Sequence, residues 1–509
     1  MKKFLALFLV VAMLISTLAI LSSCGLNNNK DNDKDNGETE TEKPTTSEKD
    51  AKKDPLTTLM MAASNTTTNF FVTNKDAKKL LTSNSNKASA SVEFEDTKDI
   101  MPGFKKLSYS YYADLDDKFF ASKQNIKLDD QAMNYDTYVD MKDKNIIIAG
   151  DAFGKNLKVN LDTLPDQIKS SELLKMTGLT EDTAMVDLIV NIAKEVKEIL
   201  NTSDEDALKI ANEYLAIFLG EISEEKLEVN GKKIDCVKMP FTIDKNSIGS
   251  FIDKAVESIP ALSDFEEFEE AKNEIIEEMD EALVGSKLEL TVYISKEDIE
   301  LEKIDINVKV GTAIFGGDEA LKVNGEIVFT DDKIALTGST AIDDNEYSLN
   351  VEIAKETKDK VTTFTASGKA AYSDGNKEAT IKLFEATASY DEKSGDVKLE
   401  VKIPEAETEL AVNGNFKVES KKAIFTVTSA SAKYVQTTYP EIYYEEFDMY
   451  EYDYENPITE NVTDTFDFNL VLTLDTDPET VSAPKDAVDV MTLTKKELEE
   501  LGNSMNEAY

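Results

Sequence analysis

Over residues 286–435 apolar side chains recur at every second position, and no other feature of the chain limits its fold so tightly. Leu288, Leu290, Val292 and Ile294 form one such run, Ile304, Ile306, Val308 and Val310 another, and Val397, Leu399, Val401 and Ile403 a third. Successive side chains of an extended backbone point to opposite faces, so a period of two predicts strands. The intervals between runs are short and hold turn residues such as Asp374-Gly375 and Asn413-Gly414. They leave no room for the crossovers that parallel pairing needs, which predicts an antiparallel meander. Clean alternation implies one face against a partner layer and one face in water.

Residues 87–160 carry the same period. Ala88, Ala90, Val92 and Phe94 alternate with polar partners, as do Leu107, Tyr109 and Tyr111, and Asn145-Ile146-Ile147-Ile148 continues the theme. Five or six strands are expected there. Helical spacing appears twice. In residues 56–82 two short stripes are expected, Leu56, Leu59, Met60 and Ala63, then Ala77, Leu80 and Leu81. Residues 165–285 carry three longer ones: Met185, Ile189, Ile192, Val196 and Ile199; Ala207, Ala211, Tyr214 and Phe218; and Phe265, Phe268, Ile275, Met279 and Ala282. Ser263 and Glu266 form a capping box before the last stripe, and Thr494 and Glu497 form another before a short C-terminal helix ending near Leu501. Asn230-Gly231 predicts a two-residue hairpin inside the helical region. The same Leu-x-Val-Asn-Gly string returns at 321–325 and 410–414 and reads as recurring turn chemistry. The expected fold class is therefore α+β: an extended, curved antiparallel sheet packed on a helical layer supplied by residues 165–285.

At the N-terminus, Lys2 and Lys3 precede an uncharged apolar run over residues 4–20, and Leu21-Ser22-Ser23-Cys24 follows. The run is short for a membrane span and its flanks are those of a cleaved export signal. Small residues before a cysteine resemble the lipobox of bacterial lipoproteins. That resemblance implies a signal peptide over residues 1–23, lipid on Cys24, and a protein held on the outer, extracytoplasmic face of the cell membrane. Residues 24–54 are rich in Asn, Asp, Glu and Lys and predict a disordered acidic tether. Asp31, Asp33, Asp35 and Glu42 have calcium-loop spacing, but Asn36 stands where that loop needs glycine, so no metal is expected.

The chain has no His, no Trp and no Arg, and its 56 basic residues are all Lys against 100 acids, a net charge of −44. Such a surface repels nucleic acid, so membrane contact must come from the lipid. Without His, Ser-His-Asp and Cys-His sites are excluded and zinc lacks its usual ligands. Phosphate-cradling glycine motifs are absent, and the S-x-x-K string Ser482-Ala483-Pro484-Lys485 is interrupted by proline. Cys236, the second of two cysteines, lies in a strand pattern and reads as a small buried apolar group. No cofactor and no enzymatic activity are expected; a carboxylate-based hydrolase is the one enzyme class left open.

Residues 437–463 are expected to form a long loop between the last two strands, the second lying near 466–474. The loop concentrates Tyr443, Tyr444, Glu445, Glu446, Asp448, Tyr450, Tyr452, Asp453 and Tyr454. Rigid aromatic area beside carboxylates suits a basic protein partner or a cation, and these nine residues are the candidate contact site.

The whole layout, lipobox, leading helix, antiparallel strands, helical insert and more strands, resembles the half-barrel lipoproteins related to LolA and LppX. It is similar also to large lipoproteins of Gram-positive anaerobes. The likeness covers residues 55–310, with the insert at 165–285; residues 311–509 would extend the sheet or form a second β domain ending in a helix. It implies a non-enzymatic carrier with a lipid or other apolar or amphipathic ligand between sheet and helices. The alternative is a structural or interaction protein using the acidic, Tyr-rich face.

Overall fold

The computed structural model describes residues 45–508, apart from 82–84, 97–103, 129–130, 177–185, 259–271, 313–319, 343–344, 375–376, 439–440, 445–448, 453–456, 467 and scattered positions within 188–201 and 275–282. The described chain is α+β, a large open sheet with helices. Three helices lead: α1 (Glu48–Lys53), α2 (Pro55–Phe71) and α3 (Lys75–Leu81). Six strands follow: β1 (Lys87–Asp96), β2 (Phe104–Asp114), β3 (Phe119–Leu128), β4 (Gln131–Asp140), β5 (Asn145–Gly150) and β6 (Leu157–Asn160). Then come α4 (Leu164–Ile168), α5 (Glu172–Met176), α6 (Asp204–Leu215), the hairpin β7 (Ser223–Val229) and β8 (Lys232–Asp244), and α7 (Lys245–Glu257).

The meander is β9 (Lys287–Ser295), β10 (Leu301–Val310), β11 (Leu321–Phe329), β12 (Lys333–Ile342), β13 (Asn345–Lys358), β14 (Val361–Ser373), β15 (Glu378–Asp391), β16 (Asp396–Ile403), β17 (Thr408–Glu419) and β18 (Lys422–Thr438). The chain closes with β19 (Glu441–Tyr444), β20 (Met449–Tyr452), β21 (Ile458–Phe466), β22 (Phe468–Asp475), β23 (Val488–Asp489) and α8 (Lys495–Ala508).

Twenty-one strands form one sheet. From β7 to β18 each strand pairs antiparallel with the next. β21 and β22 together line the far side of β18, and β22 also pairs with β1, which starts the run β1 to β6. One late strand thus welds the two strand-rich regions. The buried Asp475 carboxylate at that weld takes the Lys422 ammonium at 3.0 Å and the Asp477 N–H at 2.9 Å. The strands on either side of residue 310 share one ladder, β10 with β11. β23 adds a parallel pairing beside β6.

Several expectations need correction. Residues 45–54 are not all tether: Ser47 caps α1, and Ala51 is fully buried in the main core. α2 starts as its sequence dictates, with Asp54 accepting from the Thr57 N–H and Pro55 at its first turn. α7 is not among the expected helices, although Ile248, Phe251, Ile252, Ala255 and Val256 recur at helical spacing and Asp244 and Ser247 form a full capping box. The helices expected over 181–200 and 263–283 lie largely outside the described residues. Asn230 and Gly231, with φ of 50° and 76°, make the expected hairpin turn.

The two other Asn-Gly pairs are not turns at all. Asn324-Gly325 is mid-strand in β11 and Asn413-Gly414 sits at a bulge of the β17–β18 ladder. Their glycines serve close backbone approach: a Cβ on Gly414 would stand 2.5 Å from the Thr426 carbonyl oxygen, and one on Gly325 2.8 Å from that of Thr337. The C-terminal helix runs to Ala508, beyond the expected Leu501, and begins with the expected Thr494–Glu497 box.

Candidate functional site

Side chains facing each other across a ladder share a face, so the register traces a surface across the sheet. Ile304, Ile327, Leu336 and Val351 follow one another from β10 to β13. Phe364, Ala388, Leu399 and Val412 do so from β14 to β17, and Phe416, Phe425, Leu472, Val92 and Tyr109 from β17 through β22 to β2. From β10 to β2 one face is therefore apolar, and past β2 the buried row changes sides, with Tyr112, Ala121, Tyr138 and Ile147 following one another on the opposite face. From β10 to β14 that opposite face carries rows such as Asp305, Glu326, Thr337, Asn350 and Lys369.

The covering of the apolar face is uneven. Over β8–β10, α1 and α2 bury Val237, Met239 and Ile294 completely, with Ala51, Ala62 and Ile299 in the same cluster. Among the described residues the partner layer there is chiefly the N-terminal helices, joined by Leu219 and Ile222 from the 165–285 region, while α4 and Val186, Val190 and Met491 make a separate cluster. Beyond α2 no described element covers the face over β13–β17, and its side chains are exposed. Leu349 is 37 % exposed, Ile381 46 % and Leu410 41 %, and Tyr347, Leu399, Ile403, Tyr109, Met133 and Tyr135 are exposed as well.

α2 lies where covered and open parts meet, and polar contacts fix it there. Thr66 accepts the Leu301 N–H at 2.7 Å, and Asn65 donates to the Ile299 carbonyl at 3.1 Å. Phe70 and Phe71 pack on Phe364 with ring centres 5.9 and 5.8 Å away. The Lys355 ammonium donates to the carbonyls of Asn69 and Phe70 at 3.2 and 3.1 Å, closing the end of the helix where its dipole is negative, and sits 4.9 Å from the Phe70 ring centre. Burial pushes its pKa below the ordinary lysine value. Asn74, just beyond α2, donates to the Tyr390 hydroxyl at 2.7 Å. Lys355 escaped the sequence reading, though a signal existed: it follows Tyr347, Leu349, Val351 and Ile353 at a position the alternation reserves for an apolar group.

The nine candidate contact residues are only partly placed. β19 and β20 form a separate two-stranded ladder with Tyr443 opposite Tyr450, Tyr444 opposite Met449 and Tyr452 opposite Glu441. The described part of the expected long loop is thus a hairpin with its own pairing, placed between β18 and β21 in chain order. Glu445, Glu446, Asp448, Asp453 and Tyr454 lie outside the described residues, as do Cys24 and the calcium-like Asp31–Glu42 spacing. Cys236 is fully buried on β8, and burial pushes its thiol up to about 12, which holds it protonated and unreactive.

Glu302 stands at the bulge between β9 and β10 and rises to about 7, first through burial and then through Glu300, Asp331 and Asp298. A polar cleft of about 540 Å³ opens on the far side of β4 and β5, lined by Asn134, Asp136, Asp151, Asn156 and Asp486 among others. Its carboxylates are already engaged, Asp136 by Tyr138 at 2.8 Å, Asp151 by Asn134 at 2.7 Å and Asp486 by Asn156 at 2.9 Å. Among the described residues no group of three His, Cys, Asp or Glu could hold a metal ion, and no helix is long and apolar enough to cross a membrane.

No family model and no curated protein matches the chain. Among solved structures, OpdQ of Pseudomonas aeruginosa aligns at 7 % identity and a TM-score of 0.19, covering 76 % of this chain and 95 % of its own. The outer membrane protein OmpT of Vibrio cholerae aligns at 10 % and 0.14, covering 76 % and 95 %. An anion-selective porin from Comamonas acidovorans aligns at 6 % and 0.14, covering 77 % and 97 %. Likeness this slight fixes neither a fold nor an activity.

Proposed function

We propose that the protein is a non-enzymatic, lipid-anchored extracytoplasmic lipoprotein that holds an apolar or amphipathic ligand on the open part of its apolar sheet face, beside α2 and α3. One observation carries this reading: the apolar rows continue well past the helices that cover them, leaving Tyr347, Leu349, Ile381 and Leu410 exposed. A contiguous apolar surface of this kind marks an interaction or ligand site. The side chains on it offer shape and area with few hydrogen-bond partners, which suits acyl chains. The export signal and Cys24 support the anchored location, and the LolA- and LppX-like layout agrees with a carrier.

Native mass spectrometry of the chain purified without detergent tests this directly. A stoichiometric lipid travelling with it is the expected result; a bare protein mass, unchanged after incubation with membrane lipids, overturns the carrier reading. A second reading has its own observation. The β19–β20 hairpin sets Tyr443 opposite Tyr450 in a segment without lysine between Lys433 and Lys485, which suits a basic protein partner. Deleting residues 441–452 abolishes partner capture on that reading and leaves lipid binding intact on the first.

A further inference from the structure

The charges around the open face bear on which lipid it accepts. We infer that it selects acyl lipids whose head group carries no net negative charge; the inference rests on the carrier reading above. Across β13–β17, Lys355 is the one charged residue that the register places on the apolar face, and its ammonium is committed to the carbonyls that end α2. A head group therefore finds no cation to meet it among the acyl-contacting rows. The opposite strand ends meet α2 and the residues after it through Phe364 and Tyr390, so the head group sits at the free ends, beside Tyr347, Ile381 and Leu410.

Those ends are acidic. Glu346 and Glu378 flank Ser373 in the last pairs of the β13–β14–β15 ladders, on the polar side of the edge, and Glu405 and Glu407 occupy the neighbouring β16–β17 turn. The nearby Lys402 and Lys433 share the single acid Glu409, at 3.3 and 3.8 Å, and Lys377 stands beside Glu378, so acids still outnumber lysines at this end once Asp374 and Glu409 are counted. With −44 over the whole chain, the rim repels a phosphate-headed anion and tolerates an uncharged or zwitterionic head. This repulsion acts through solvent, so salt must weaken it.

The test compares three lipids with identical oleoyl chains, presented to the full chain in neutral detergent and read by native mass spectrometry: dioleoylglycerol, dioleoylphosphatidylcholine and dioleoylphosphatidylglycerol. At low ionic strength the first two should bind at least about tenfold more tightly than the third, and the gap should shrink in high salt. In the variant Glu346→Lys/Glu378→Lys/Glu405→Lys/Glu407→Lys the anionic lipid should approach the zwitterionic one, with dioleoylglycerol unchanged. Equal binding of all three lipids, or a preference for the anionic one, overturns the charge selection and leaves the carrier reading standing. Binding of none overturns the carrier reading itself. The salt series on the unaltered chain decides the matter if the four-lysine variant does not fold: a gap that salt leaves unchanged overturns the inference.

Discussion

β8–β10 and β13–β17 are built from the same period-two sequence and belong to the same face of the same sheet, yet they bury their apolar rows to different degrees. Under α1 and α2, Met239 and Ile294 lose all contact with water. A few strands on, Ile381 keeps 46 % of its surface and Leu410 41 %. Alternation determines which side chains share a face; what lies over that face decides whether they become core. In the covered region stability should reside in side-chain packing. In the open region it should reside in the backbone ladder, and the exposed side chains should matter for binding.

The largest expected effect comes from truncating the same kind of side chain in both regions. Met239→Ala should cost about 2–5 kcal/mol in urea unfolding, since it leaves a cavity among Val237, Val292 and Ile294. Leu410→Ala should cost about 0.5 kcal/mol or less, and should weaken acyl-lipid binding. Comparable losses at the two positions would sink the distinction between a filled core and an open face.

The ladder side of the comparison is sharpened by Gly414→Ala. The added methyl would stand 2.5 Å from the Thr426 carbonyl oxygen and 3.2 Å from the Phe425 ring. Backbone must shift, at about 1–3 kcal/mol, a loss several times that of Leu410→Ala on the neighbouring row. A smaller effect belongs to the boundary between the regions. Lys355→Met keeps the stem that packs against Phe70 but removes the cap on the last carbonyls of α2, and should lower stability by about 1 kcal/mol. Hydrogen exchange should then quicken first at the C-terminal turn of α2. Uniform loosening across α2 would show that Phe70, Phe71 and Phe364 hold the helix without Lys355.

Much of this division was legible in the residues and part was not. Periodicity gave the strands, the antiparallel order and the facing of each apolar row, because side-chain direction in an extended chain is a local property. It did not give the cover. Whether α2 or a later helix lies over Val292 depends on contacts between residues 51–62 and 222–301, and nothing local encodes that. The Asn-Gly pairs show the same limit. At 230–231 the neighbours end their pairing and the glycine makes a turn; at 413–414 the same dipeptide continues a strand, and Gly414 admits the Thr426 carbonyl. Of the contact site, the tyrosines and acids were evident from composition, but the pairing of Tyr443 with Tyr450 turned an expected loop into a hairpin. Lys355 was visible only as a break in alternation whose meaning required the helix end above it.

The remaining effect is one of pH, and it too belongs to the covered region. Glu302 has a carboxyl held up to about 7 in the fold, against an ordinary value of 4.5, with burial as the main cause and Glu300, Asp331 and Asp298 adding to it. The folded state therefore holds a proton that the unfolded chain has released, and it does so between those two values. Stability from this group is fully present below pH 4.5, declines as pH rises, and is gone once pH passes about 7. Glu302→Gln keeps the neutral form at every pH, so the variant should melt above the parent at pH 8 and match it near pH 4. α2 is held to this corner by Asn65 and Thr66 on residues 299–301, so loosening at high pH should register there before it reaches β13–β17. A parent and variant whose melting temperatures run parallel from pH 4 to 8 would show that Glu302 is open to water, and that the cover over β10 ends one residue sooner than the burial of Ile299 implies.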